Sequence, residues 1–121
     1  MSVFSKISED KKIYSGECFF MIYDRYPVSP GHILIISNEK KLDYFSLNKE
    51  EQNELTRTIE LAKGIIEKDH SPNGYNIGMN CGEAAGQTVM HFHCHVIPRY
   101  LGDMGNPRGG IRHCLEGKGY Y

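Results

Sequence analysis

The sequence predicts an α+β domain with an antiparallel sheet, on three observations. Two short apolar runs flank a proline-containing turn in the first third of the chain. One long segment with helical apolar spacing follows, and further strand-like runs come after it. No internal repeat or low-complexity linker breaks this order, and 121 residues suit a single domain that can bury a core without staples.

The first run, CFFMIYD from Cys18 to Asp24, is rich in aromatic and aliphatic residues and reads as a strand. YPVSPG then supplies two prolines and Gly31 as breakers, and HILIIS from His32 to Ser37 reads as the second strand. The two are expected to pair as a hairpin with a wide loop. Asn48 and Glu51 form an N-x-x-E capping signal, and Leu55, Ile59, Ala62 and Ile66 recur at helical spacing behind it. This helix should end near Asp69, before Ser71-Pro72-Asn73-Gly74. Next come YNIGMN (Tyr75 to Asn80), the glycine-containing loop CGEAAGQT and a strand from His91 to about Tyr100. Residues 101–121 hold six of the 13 glycines and are expected to be a flexible tail on a single 1–121 domain.

The formal net charge is −1, with 40% hydrophobic and 24% charged residues. Neither a basic face nor a basic tail is evident, which argues against nucleic acid or a membrane surface as partner. A small anionic ligand needs only local positive charge and stays open. The opening MSVFSKISEDKK turns charged before an apolar region develops, and no run approaches the ~20 residues of a membrane span. A cytoplasmic protein is expected, its four cysteines reduced and mostly buried, since none forms a CxxC motif.

Half of the six histidines lie in HFHCHVIPRY: His91, His93 and His95 alternate with Phe92, Cys94 and Val96. Side chains alternate across a strand, so the three imidazoles share one face and the apolar residues pack on the other. Chance would produce this spacing in roughly 1 chain in 100 of such composition. Zinc is one reading, but the outer two α-carbons sit ~13 Å apart, so a single ion would need an outside ligand such as His32 or His113. The other reading makes the central imidazole a nucleophile toward phosphorus, with its neighbours steadying the charge. A row suits that role, since it gives one attacker a neighbour on each side. Gly82 and Gly86 allow a turn with backbone N–H groups facing an anion, Gln87 and Thr88 add side-chain donors, and Arg99 is a candidate for charge near the mouth.

HFHCHVI resembles the His-φ-His-φ-His-φ-φ signature of the histidine-triad (HIT) superfamily at every apolar and histidine position. AGQTVMHFHCHVIPR is similar to the active-site strand of its Hint and Fhit branches, PVSPGHILIIS to an earlier strand that supplies a fourth histidine, and FSKI to the N-terminal opening. The resemblance covers roughly residues 3 to 112. It implies an α+β HIT fold whose sheets join across a homodimer. It also implies hydrolysis or transfer at the α-phosphate of a purine nucleotide conjugate, such as a dinucleoside polyphosphate or a nucleoside phosphoramidate, with no cofactor and no metal in the chemical step. His93 matches the nucleophile that forms a nucleotidyl-histidine intermediate. His95 and His32 match residues that contact the α-phosphate, and His91 matches the one that orients the nucleophile. Asn80, Thr88 and Gln87 match polar contacts on the phosphate and leaving-group side. Asp24 matches the ribose-binding position, and Phe4, Ile7, Phe20 and Ile22 match walls of the base pocket. Some relatives hold a structural zinc with two N-terminal cysteines; here Ser2 and Ser5 stand instead, so that site is expected to be absent. The tail NPRGGIR, with Arg108 and Arg112, matches neither branch and leaves the leaving group open. Two alternatives stand beside the enzyme: a nucleotide-binding regulatory protein with little catalysis, and a zinc-dependent hydrolase.

Overall fold

The computed structural model describes residues 2–121. Five strands form one sheet: β1 (Tyr14–Ser15), β2 (Phe19–Tyr23), β3 (Ile33–Ser37), β4 (Gly74–Gly78) and β5 (His93–Arg99). Their order across the sheet is β1-β2-β3-β5-β4, and every neighbouring pair is antiparallel. The long helix α1 (Lys49–Asp69) connects β3 to β4. Its start follows the expected chemistry: the Asn48 side chain accepts the Glu51 N–H at 2.8 Å, and Glu51 accepts the Asn48 N–H at 2.8 Å.

Strand periodicity divides the sheet into two faces. Met21, Ile35 and Cys94 lie in register across β2, β3 and β5, and all are fully buried against Leu55, Ala62 and Ile66 of α1. This is the main core, and Phe92 and Val96 belong to it as their alternation with histidine requires. On the opposite face, Phe20, Ile36 and His93 form one row, and Ile22, Leu34 and His95 the next. Phe4 and Ile7, from the N-terminal 3-10 turn Val3–Lys6 and just after it, pack on that second apolar patch. The histidine row therefore continues an apolar surface, which lowers the local dielectric around it.

One boundary differs from expectation, and so does the burial of the cysteines. The histidine strand begins at His93, because the Phe92 N–H turns to the Lys41 carbonyl at 2.6 Å and leaves the ladder. Of the four free thiols only Cys94 is buried, and burial pushes it up to about 12. The glycine-rich tail contains a 3-10 helix, Gly110–Cys114. Among the described residues no helix is long and apolar enough to cross a membrane.

Candidate active site

The sheet brings four imidazoles together. His93 and His95 stand two residues apart on β5 with ring centroids 5.4 Å apart. His32 ends the loop before β3, and its ring lies 5.1 Å from that of His95. His91 precedes β5 yet keeps to the same side: the Phe4 ring meets both His91 (5.7 Å) and His93 (4.9 Å) edge-on.

Hydrogen bonds to backbone groups of fixed polarity determine the tautomers. The Val28 N–H donates to His32 Nδ1 at 3.0 Å, so the His32 proton sits on Nε2. That Nε2–H donates to His95 Nδ1 at 2.9 Å, which leaves the His95 proton on its own Nε2. His93 Nδ1–H donates to the His91 carbonyl at 2.9 Å, so His93 Nε2 carries a free lone pair. His91 Nε2–H donates to the Ser37 carbonyl at 2.8 Å, and the Ser2 hydroxyl donates to His91 Nδ1 at 2.6 Å. Within one row, His93 thus offers an unprotonated nitrogen and His95 an N–H. No side-chain nitrogen or oxygen among the described residues is both fully buried and unpartnered, so these two ring atoms stay reachable.

Burial keeps the supporting imidazoles neutral. It lowers His95 from 6.5 to about 4, helped by the nearby His32 and His93, and Asp24 opposes the shift only in part. His32 and His91 are also lowered, chiefly by burial.

Asp24, His32 and His95 present ligand atoms within 4.8 Å of one another, the spacing of a metal cluster. The donor set does not fit one. His32 would have to bind through Nε2, with its proton moved to Nδ1, and the Val28 N–H already points at Nδ1. Asp24 instead keeps Oδ2 3.5 Å from His32 Nε2 and accepts the Tyr26 N–H on Oδ1 at 2.8 Å. His113, the other outside zinc ligand considered, lies apart from the cluster and donates to the Arg108 carbonyl at 2.9 Å.

The remaining candidates divide by what their polar atoms already do. Gln87 is buried: its Oε1 accepts the Gly82 N–H at 2.8 Å, and its Nε2 donates to the Leu42 and Val89 carbonyls at 2.7 and 3.1 Å. Both ends of the amide are occupied by backbone, so Gln87 positions the Gly82–Gly86 loop and has no donor left for substrate. Gly82 and Gly86 hold φ of 96° and 93°, a region that side chains disfavour. Arg99 is likewise spent: it forks onto Asp103 at 2.9 and 2.8 Å and reaches Asn76 at 2.6 Å, so it brings no free charge to the mouth. Asn80 and Thr88 are exposed, and Asn80 lines a trough beside His95. Phe4 and Ile7 pack on the patch that contains buried Ile22.

Sequence reasoning missed the Val28 N–H and the Ser37 and His91 carbonyls, since backbone groups carry no residue signature. It also missed Ser2, noted only as a residue unsuited to zinc.

The HIT domain family model matches residues 5–102. The chain is 32% identical over 89 residues to an AP-4-A phosphorylase of Mycobacterium tuberculosis, covering 73% of this chain and 46% of that protein. It is 38% identical over 77 residues to the asymmetrical bis(5'-nucleosyl)-tetraphosphatase of Schizosaccharomyces pombe, covering 64% of this chain and 42% of that one. This chain therefore spans about half the length of these curated relatives. Among solved structures, a HIT family protein from Bacillus anthracis superposes with a TM-score of 0.77 at 35% identity, covering 86% of this chain and 77% of that one.

Proposed function

From the premise that this chain belongs to the HIT family, we propose that it cleaves a purine nucleotide conjugate at the α-phosphate through a covalent nucleotidyl-histidine intermediate. The observation that carries the proposal is the fixed tautomer of His93, whose Nδ1–H is held by the His91 carbonyl while Nε2 stays unprotonated. The relatives named for AP-4-A and for bis(5'-nucleosyl) tetraphosphate support substrates of this class.

In the first step the His93 Nε2 lone pair forms a bond to the α-phosphorus, and the bond from phosphorus to the leaving group breaks with its electron pair going to that group. An anhydride oxygen departs as a stabilised anion; an amine takes up one proton from solvent. His93 then carries phosphorus on Nε2 and a proton on Nδ1, and the His91 carbonyl steadies the positive ring. His95 Nε2–H donates to a phosphate oxygen as charge builds there. In the second step water adds its oxygen to phosphorus, the bond to His93 breaks with its pair returning to Nε2, and the water proton passes to solvent. In this reading Asp24 binds the ribose hydroxyls, Phe4, Ile7 and Ile22 wall the base, and Asn80 and Thr88 make polar contacts on the phosphate and leaving-group side.

A homodimer in the cytoplasm completes the reading. The dimer, not the location, is supported by the outer edge of β4, unpaired among the described residues, and by Ile77, Ile111 and Leu115, which are exposed beside it. Gel filtration with light scattering tests the dimer.

The decisive experiment is quenching of turnover in alkaline denaturant, in which a histidine P–N bond survives, with radiolabelled diadenosine polyphosphate and adenosine phosphoramidate. Label should be trapped on His93 alone, and His93→Ala should lose turnover by three orders of magnitude or so. An active His93→Ala protein overturns the proposal.

A further inference from the structure

The carbonyl that holds the His93 proton belongs to His91, which lies outside the sheet, since β5 begins at His93. Two of the bonds that fix His91 come from one short segment after β3. Its Nε2–H donates to the Ser37 carbonyl at 2.8 Å, and the peptide it shares with Phe92 is held through the Phe92 N–H by the Lys41 carbonyl at 2.6 Å. Two anchors on one segment define an axis and leave rotation about it open. The third anchor comes from the other end of the chain: the Ser2 hydroxyl, 2.6 Å from His91 Nδ1. Resting on the function proposed above, we infer that Ser2 is a positioning residue for the reaction. Its hydroxyl stops His91 from turning, and through the His91 carbonyl it keeps the His93 proton on Nδ1 and the attacking Nε2 bare.

The polarity of the contact is fixed. The Ser37 carbonyl can only accept, so the His91 proton sits on Nε2 and Nδ1 is an acceptor. Ser2 must therefore donate, and its single hydroxyl proton is committed to the ring. The ring is 1% exposed, so water has little access to replace that donor.

The same contact governs what lies over the nucleophile. Ser2 precedes the 3-10 turn Val3–Lys6, which the Ser5 N–H closes onto the Ser2 carbonyl at 3.1 Å. Among the described residues, Ser2 to His91 is the one hydrogen bond that ties residues 2–7 to a later part of the chain. Phe4, inside that turn, meets the His91 and His93 rings edge-on at 5.7 and 4.9 Å. Loss of the hydroxyl frees His91 to turn and slackens the Phe4 edge that packs on both rings. Each change lets the His93 ring leave the His91 carbonyl, and a proton that moves to Nε2 blocks attack.

The test uses Ser2→Ala and Ser2→Thr in the full chain, with Ser5→Ala as a control that removes an exposed hydroxyl from the same turn. Two readouts are taken: steady-state turnover of diadenosine triphosphate, and nitrogen-15 shifts of the His93 ring without substrate. Ser2→Ala should lower kcat roughly five- to tenfold, the worth of one such hydrogen bond, with a smaller change in KM. Its His93 ring should show mixed tautomers where the wild type shows Nδ1–H alone. Ser2→Thr keeps a hydroxyl and should recover both readouts, and Ser5→Ala should leave both at wild-type values. If either readout is unmoved in Ser2→Ala, or only the melting temperature falls, Ser2 serves the fold alone and the inference is overturned. If the wild type turns over no substrate in a His93-dependent way, the broader reading fails, and the tautomer comparison by itself decides what Ser2 does.

Discussion

His32 Nε2 lies 2.9 Å from His95 Nδ1, and the direction of that hydrogen bond is set by a third group, the backbone N–H of Val28. A loop N–H cannot accept a proton, so it forces the His32 tautomer, and His32 in turn forces that of His95. The proton offered to the phosphate is therefore fixed from a turn four residues before His32. The imidazole row is preorganised without any of its supporting members being charged.

Replacing His32 tests that chain. In His32→Ala the Val28 N–H and His95 Nδ1 both lose their partner, at a cost of about 1–3 kcal/mol in stability. His95 is freed to exchange tautomers, so kcat should fall more than KM rises. His32→Gln can accept from Val28 through its carbonyl and donate to His95 through its amide, so it should recover part of kcat. Nitrogen-15 shifts of the His95 ring should report one tautomer in the wild type, mixed tautomers in the alanine variant and one again in the glutamine variant.

Stability should depend on pH in a stated direction. Burial lowers His95 to about 4 from 6.5, and lowers His32 and His91 as well. Between these limits the unfolded chain binds protons that the folded chain refuses, so stability is fully present above 6.5 and is lost as pH falls toward about 4. Each group contributes a slope of at most about 1.4 kcal/mol per pH unit. Urea midpoints at a series of pH values check this, and His95→Gln should flatten the curve. An unchanged midpoint across the window would contradict the neutral row.

Gln87 should behave as a positioning residue. Gln87→Ala leaves one backbone N–H and two carbonyls without their partner, which predicts a loss of about 1–3 kcal/mol. Gln87→Glu keeps an acceptor for Gly82 but sets a charge against the Leu42 and Val89 carbonyls, and should be worse. Both should raise KM by loosening the loop that carries Asn80 and Thr88. Thermal melts and steady-state kinetics separate the two effects.

Asn48 gives a contrasting case remote from the chemistry. Asn48→Ala removes the side-chain acceptor for the Glu51 N–H and should cost about 1 kcal/mol. The melting temperature should fall while kcat and KM stay at wild-type values.

What the sequence determined is what local period and local chemistry can encode. The alternation of His93 and His95 with Cys94 and Val96 assigns one face to imidazole and the other to the core, whatever the strand pairs with. The Asn48–Glu51 box starts α1, because both partners lie within one helical turn. Apart from the zinc reading, which names His32 only as one possible outside ligand, resemblance to a family is what brings His32 to the row; nothing in its own neighbourhood does. Tertiary structure decided the rest. His32 reaches His95 across 63 residues only because β3 pairs with β5, and Ser2 reaches His91 across 89. Gln87 and Arg99 read as donors for a ligand, yet folding spends one on backbone carbonyls and the other on Asp103. Side-chain type states what a group can donate, but only the folded chain shows which donors are already used, since those partners come from segments far apart in sequence.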